Sequence, residues 1–246
     1  MSQTAANLTA AELAAQTNLE SILANMELRA LQVEHADERG RIYNLAGDLC
    51  FDSGCRERAL PYYGRAIDVF LAAGQVEGAV GVCRKIVRLT PEVVRARCTL
   101  AWMALGRGLI EEARQRIADY ASAAASAGQE ATAAKHLRQM ADVSSNVEVL
   151  ESLADALMHL GDDAGADRAF GAAMGRSEPG AQLPNEPAQR WATVLKLLNG
   201  EDLTPVQPAP PPVAAVAAPT AVPHNAGASV ANTNGKNGKN RKRAKH

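Results

Sequence analysis

Residues 43–66 read YNLAGDLCFDSGCRERALPYYGRA, and two later segments, 96–120 and 150–173, repeat the spacing of their large, small and glycine residues. Each copy has a glycine at the same place, and these are Gly54, Gly108 and Gly161, which lie 54 and 53 residues apart. Self-similarity at a fixed period is typical of an array of repeated structural units.

The spacing within each copy predicts a pair of packed helices. Large side chains three and four residues apart form one face of an α-helix. The glycine at the centre of the copy ends the first helix, because glycine readily adopts a left-handed backbone conformation. Small residues at matched positions, such as Gly47 and Ala59 in the first copy, then allow the two helices to approach closely.

Over residues 38–175 the motif resembles the tetratricopeptide repeat, which is a helical hairpin. That family has, at the spacing seen in the three copies, a large residue followed by Leu, Gly, Tyr, Gly, Ala, Phe, Ala and Pro. The resemblance implies an all-α, right-handed solenoid of stacked hairpins that binds a partner segment in its concave groove. The period departs from that of the family, whose unit has about 34 residues. The roughly 20 extra residues of each unit predict a third helix there.

Eight helices are predicted by the apolar periodicity and by the glycines, prolines and capping residues at their ends. Their ranges are 40–53, 57–73, 76–89, 91–106, 110–126, 129–142, 146–160 and 163–175. Pro91 after Thr90 predicts one helix start, and Ser145 with Glu148 predicts another as a capping box. Asp162 is expected to cap the last helix. The helix over 129–142 is expected to be irregular, because its apolar face is mostly alanine.

An amphipathic helix is predicted on each side of the repeats, and both are expected to cover exposed ends of the array. The first begins near Thr9, which forms a capping box with Glu12, and ends near Glu34; the second runs from Asn185 to Gly200. The predicted segments are an N-terminal helix (1–36), the repeats (37–178), a loop with a C-terminal capping helix (179–200), a Pro/Ala-rich linker (201–223) and a disordered basic tail (224–246).

The formal net charge of −1 hides an uneven distribution. All six charges after Ser229 are positive, so the rest of the chain has 20 basic and 27 acidic residues and a net charge of −7. The basic tail residues are Lys236, Lys239, Arg241, Lys242, Arg243 and Lys245. They are consistent with salt-sensitive binding to nucleic acid, with docking on an acidic protein or membrane surface, or with a tail that is only kept soluble.

The sequence shows no convincing catalytic, metal-binding or phosphate-binding pattern, so no enzyme activity, cofactor or metal is expected. His136 and His159 are expected to be surface or packing residues. The cysteines lack Cys-x-x-Cys spacing, which predicts buried free thiols in a reducing cytoplasm; they are Cys50, Cys55, Cys83 and Cys98. No secretory signal and no apolar run of about 20 residues is visible, so membrane insertion is not expected.

The resemblance also implies that four positions of the first helix in each unit line the groove. These are Arg41, Asn44, Asp48 and Phe51, then Arg95, Cys98, Trp102 and Leu105, then Glu148, Glu151, Asp155 and Met158. The apolar anchors for a partner would be Phe51, Trp102 and Met158. Arg41 and Arg95 would pair with acidic groups of that partner.

Two features of this set have other interpretations. Trp102 is equally consistent with packing against a neighbouring helix. Asn44 and Asp48 stand where the family's carboxylate clamp needs Lys and Asn, which disfavours recognition of chaperone C-termini.

Two hypotheses for function follow. The first is a non-enzymatic protein-interaction scaffold or adaptor that holds a partner segment in the groove. The alternative is a nucleic-acid-associated accessory protein that is attached through the basic tail.

Overall fold

The computed structural model describes residues 10–176 and 182–201, with side chains from residue 17 onward. These residues form helices and no strand, which confirms the prediction of an all-α fold. The helices are α1 (Ala10–Gln32), α2 (Ala36–Asp52), α3 (Arg56–Ala72), α4 (Val76–Leu89), α5 (Val94–Gly106), α6 (Ile110–Ser126), α7 (Glu130–Val143), α8 (Val147–His159), α9 (Asp163–Ala173) and α10 (Pro187–Leu198). The Thr9 cap, the basic tail and all but the first residue of the Pro/Ala-rich linker lie outside the described residues.

The helices from α1 to α9 pack in sequence, each against the next. Contacts also join α2 to α4 and α6 to α8, and on the other side α5 to α7 and α7 to α9. Between the first and second units, the ion pair of Arg84 with Glu112 joins α4 to α6, and α3 and α5 both contact α10. The even-numbered and odd-numbered helices of the repeats therefore form two layers. Because each unit contains three helices, the first helices of successive copies fall in alternate layers: α2 and α8 in the even layer, and α5 in the odd layer.

Close packing within a hairpin depends on the small residues that the motif repeats. A Cβ atom on Gly47 of α2 would lie 2.5 Å from the ring of Tyr63 on α3, so no side chain fits there without moving the ring. The central glycine of the same copy, Gly54, has a φ of 77°, which is the left-handed conformation expected at the end of the first helix.

Two predicted helix starts are wrong. Helix α2 begins at Ala36, four residues before the predicted start at residue 40. Helix α5 begins at Val94, three residues after Pro91. The hydroxyl of Thr90 donates a hydrogen bond to the carbonyl of Ile86, 2.9 Å away, so this residue turns back to the end of α4 instead of capping α5.

The caps of the last hairpin follow the prediction at one helix and depart from it at the other. The side chain of Asn146, not that of Ser145, caps α8 by accepting a hydrogen bond from the backbone N–H of Val149 at 3.0 Å. Asp162 caps α9 by accepting one from the N–H of Gly165 at 3.2 Å, as predicted. The expected irregularity of the helix over 129–142 is not present, since α7 is a continuous α-helix.

The two flanking helices pack differently from each other. Helix α1 packs on α2, at the start of the array. Helix α10 contacts α3, α5 and α7 and, among the described residues, does not contact α9. It therefore lies on the odd layer rather than over the end of the array, where the sequence predicted it.

Candidate functional site

The predicted groove residues of α2 are already engaged within the chain. The Nζ atom of Lys85, on α4, lies 2.9 Å from Oδ1 of Asn44 and 2.8 and 2.9 Å from the two carboxylate oxygens of Asp48. The hydroxyl of Tyr63 donates a further hydrogen bond of 2.7 Å to Asp48. This half-buried network joins α2, α3 and α4.

The other two predicted residues of α2 make weaker contacts near the surface. Arg41 pairs with Asp37 one turn earlier on the same helix, at 2.8 Å. The guanidinium of Arg56 lies over the ring of Phe51, 5.3 Å from its centroid.

The predicted groove residues of α5 face the interior or α10. Trp102 has no exposed surface, and its indole N–H has no hydrogen-bond partner among the described residues. The alternative interpretation of Trp102, packing against neighbouring helices, therefore describes its position. Cys98 is also buried, and Leu105 is partly buried against the core. Arg95 donates a 2.8 Å hydrogen bond to Asn199, just after α10.

The predicted residues of α8 remain at the surface. Glu151, Asp155 and Met158 are exposed, and their spacing of four and three residues places them along one stripe of the helix. Asp155 also borders a cleft of about 530 Å³ between α6 and α8, opposite Glu111 and Arg114. The structure therefore keeps the α8 set available, whereas the α5 set lies in the other layer and does not join it on one surface.

The third copy leaves uncovered a position that the first two copies bury. Phe170 is 49% exposed, whereas its counterparts Tyr63 and Ile117 are 1% and 0% exposed. The same holds one turn later, where Met174 is exposed and its counterpart Ile67 is buried. The repeat shows in the sequence that these positions correspond, but it does not show how deeply each copy buries them.

The difference arises from the third helix of each unit. In the first unit α4 covers α3: a Cβ atom on Gly78 would lie 2.9 Å from the ring of Phe70, and the Lys85 ammonium lies 5.4 Å from the centroid of the Tyr63 ring. In the second unit α7 covers α6. Among the described helices, only α7 and α8 contact α9, and no third helix follows it on its far side. We call the surface left there the open face; it comprises Val147, Glu151, Asp155, Met158, Phe170 and Met174.

Helix α10 occupies the odd layer through a large apolar contact and polar contacts at both ends. The ring of Trp191 lies where a side chain on Gly106 would stand, since a Cβ atom there would be 2.8 Å from the ring. The Arg190 guanidinium donates a 2.9 Å hydrogen bond to the carbonyl of Gly106, at the end of α5. Arg95 near the start of α5 binds Asn199, so α10 runs antiparallel to α5.

A buried polar cluster joins α5, α6 and α7, and no local sequence pattern predicts it because its members come from different helices. The hydroxyl of Tyr120 lies 2.8 Å from Nδ1 of His136, and the Cys98 sulfur lies 3.5 Å from the same nitrogen. Burial raises the pKa of the Cys98 thiol to about 12 and lowers the pKa of His136. At neutral pH the thiol is therefore protonated and a poor nucleophile, and the imidazole is neutral, so its Nδ1 can accept a hydrogen bond from the Tyr120 hydroxyl.

Comparison with protein-family models, with curated proteins and with solved structures gives no significant match. Within residues 10–176 and 182–201, no helix is long and apolar enough to cross a membrane. The fold itself is all-helical and repeat-like, with neighbouring helices packed in sequence.

Proposed function

We propose that this protein is a non-enzymatic interaction scaffold, of the tetratricopeptide-like kind, that binds a helical segment of a partner protein on the open face. The observation that carries the proposal is the exposure of Phe170 at a place where the other two copies bury the corresponding side chain under a third helix.

The composition of the open face supports binding rather than simple termination of the array. Repeat arrays ordinarily end in a unit with a polar outer face, because exposed apolar surface at an end promotes association. Here Met158, Phe170 and Met174 are 62%, 49% and 54% exposed. Covering an aromatic and two flexible methionine side chains provides apolar area for a partner, and methionine adapts to the shape of its ligand.

The acidic residues of the open face add orientation to this apolar contact. Among the described residues neither Glu151 nor Asp155 forms an ion pair. Charged groups at the rim of an interface set its register and its rate of association more than its affinity. A partner with cationic side chains would therefore associate in one preferred orientation.

Photo-cross-linking in the native cell tests the proposal. A photoreactive amino acid at position 170 is expected to give a discrete protein adduct, and the Glu151→Lys substitution, which lies on the other helix of the hairpin, should reduce it. The matched control places the same amino acid at Leu45, which is 56% exposed on α2. Identical adducts from both positions, or no discrete adduct at position 170, would refute binding at the open face, and an adduct at 170 that Glu151→Lys leaves unchanged would refute the role of the Glu151 carboxylate.

The nucleic-acid hypothesis rests on residues 236–245, which lie outside the described residues, and it remains a separate prediction. Its support is the clustering of all six tail charges with one sign on a body that is otherwise acidic.

A further inference from the structure

We infer that the partner of the open face is an amphipathic helix patterned like α4: a small residue, an aliphatic residue four positions later and a lysine three positions after that. Such a helix would supply, from another molecule, the third helix that none of the described helices provides for the last unit. The inference rests on the proposed function and specifies the chemistry of the partner.

The first unit shows what this surface binds when it is complete. Glu151, Asp155 and Phe170 stand at the places of the repeat that Asn44, Asp48 and Tyr63 hold in the first unit. In the first unit all three side chains contact Lys85 of α4. The Lys85 ammonium donates hydrogen bonds of 2.9 Å to Asn44 and 2.8 Å to Asp48, and it lies over the ring of Tyr63. In the last unit the corresponding side chains are exposed.

In the second unit the counterpart of Lys85 is Gln139, which donates a 3.3 Å hydrogen bond to the carbonyl of Glu201 instead, and the contact with the hairpin is made one turn earlier on the third helix. His136 on α7 is the counterpart of Val82 on α4, and Cys98 is the counterpart of Asn44. The imidazole of His136 contacts the sulfur of Cys98 at 3.5 Å. Val82 is also buried, at 5% exposure, so position 82 of α4 and its counterpart in α7 are both at least partly covered in the complete units. With Gly78 and Lys85, at spacings of four and three residues, position 82 forms the stripe by which α4 faces α2 and α3.

Charge favours a cationic residue in the partner even more strongly than in α4. Lys85 meets one carboxylate and one amide, whereas the open face presents two carboxylates, Glu151 and Asp155, in the corresponding places. Arg114 of α6, which borders the same cleft as Asp155, is bound to Glu111 and Glu148 instead. A lysine or arginine in the partner would thus meet two carboxylates that form no ion pair with the described residues.

The α4 sequence itself is the probe. The peptide comprises residues 75–90 with Cys83→Ala, and a hydrocarbon staple replaces the side chains of Arg84 and Arg88, which are both exposed in α4. Lys85 is then the only cationic side chain of the peptide. The peptide is titrated into the full-length protein labelled with carbon-13 at the methionine methyl groups. Met158 and Met174 report on the open face, and the buried Met103 and Met140 serve as internal controls.

We expect saturable shifts of the Met158 and Met174 signals and little change at the buried methionines. Asp155→Lys in the protein, or Lys85→Glu in the peptide, should each weaken binding by about three- to tenfold, as expected when an exposed ion pair becomes a repulsion. Combining the two reversals should restore most of the affinity.

Three outcomes overturn the inference. The first is no shift of the Met158 and Met174 signals at about 1 mM peptide, a concentration that would half-saturate a site with a Kd of about 1 mM. The second is shifts that neither charge reversal changes, and the third is shifts at the buried methionines, which indicate exchange with α4 itself. If a cross-linked adduct at position 170 persists in these cases, the open face binds a different kind of segment and the proposed function stands.

Discussion

Replacing Lys85 tests how strongly the third helix of a unit is held by its ammonium group. Its side chain and that of Asp48 are 23% and 34% exposed, so the pair lies between surface ion pairs, which contribute about 0.2–1 kcal/mol, and buried ones, which cost about 3–5 kcal/mol to break. We therefore expect a coupling free energy of about 1–2 kcal/mol between Lys85→Met and Asp48→Asn. Tyr63 continues to donate to position 48 in the single Lys85 variant, which limits the loss.

The assay is a double-mutant cycle in which urea denaturation gives the free energy of unfolding of the wild type, both single variants and the double variant. The matched control is the cycle on Arg41 and Asp37, a more exposed pair on one helix, for which about 0.3–0.5 kcal/mol is expected. A coupling no larger than that of the control would refute the idea that the Lys85 contact orients α4 on its hairpin.

Three further predictions concern other parts of the chain. Gly106→Ala should lower the free energy of unfolding by about 1–2 kcal/mol because the new methyl group meets the ring of Trp191, whereas Gly81→Ala, in open space on α4, should raise it by about 0.5–1 kcal/mol; urea denaturation distinguishes the two. Burial lowers the pKa of His136 in the folded protein, so the stability that its neutral imidazole contributes is complete above the ordinary pKa of 6.5 and is lost as the pH falls below it. The urea midpoint should therefore drop more between about pH 7.5 and 5.5 in the wild type than in His136→Gln, and equal drops would contradict this. Deleting residues 235–246 should abolish any binding of nucleic acid at low salt, measured by fluorescence anisotropy, and unchanged binding would remove the nucleic-acid hypothesis.

The sequence was sufficient for the helices because their signals are local. Glycines such as Gly54 and Gly161 mark the ends of first helices, and both adopt the left-handed conformation expected there. The start of α5 was predicted too early, because the hydroxyl of Thr90 has two possible backbone partners and a sequence does not show which one it takes. Local chemistry thus predicts the existence of an element better than its first residue.

The site was harder to predict because it depends on how units of three helices stack. Groove positions taken from a family with two helices per unit place Asp48 and Trp102 on one surface. A third helix moves the following hairpin to the other layer, so Trp102 became part of the interior while Asp155 stayed exposed. The placement of α10 on α3, α5 and α7 depends on contacts such as that of Trp191 with Gly106, which are far apart in the sequence. The exposure of Phe170 depends on the same long-range packing, because α10, which was predicted to cover the end of the array, contacts α3, α5 and α7 instead of α9.

An odd number of helices per unit also constrains how such a chain can lengthen during evolution. Duplication of a single three-helix unit would place the first helix of the last unit in the other layer. The open face would then move to the opposite side of the array, away from any partner anchored on the original side. Duplication of two consecutive units would return it to the same side. Descendants that keep one partner while growing longer are therefore expected to gain their units in pairs.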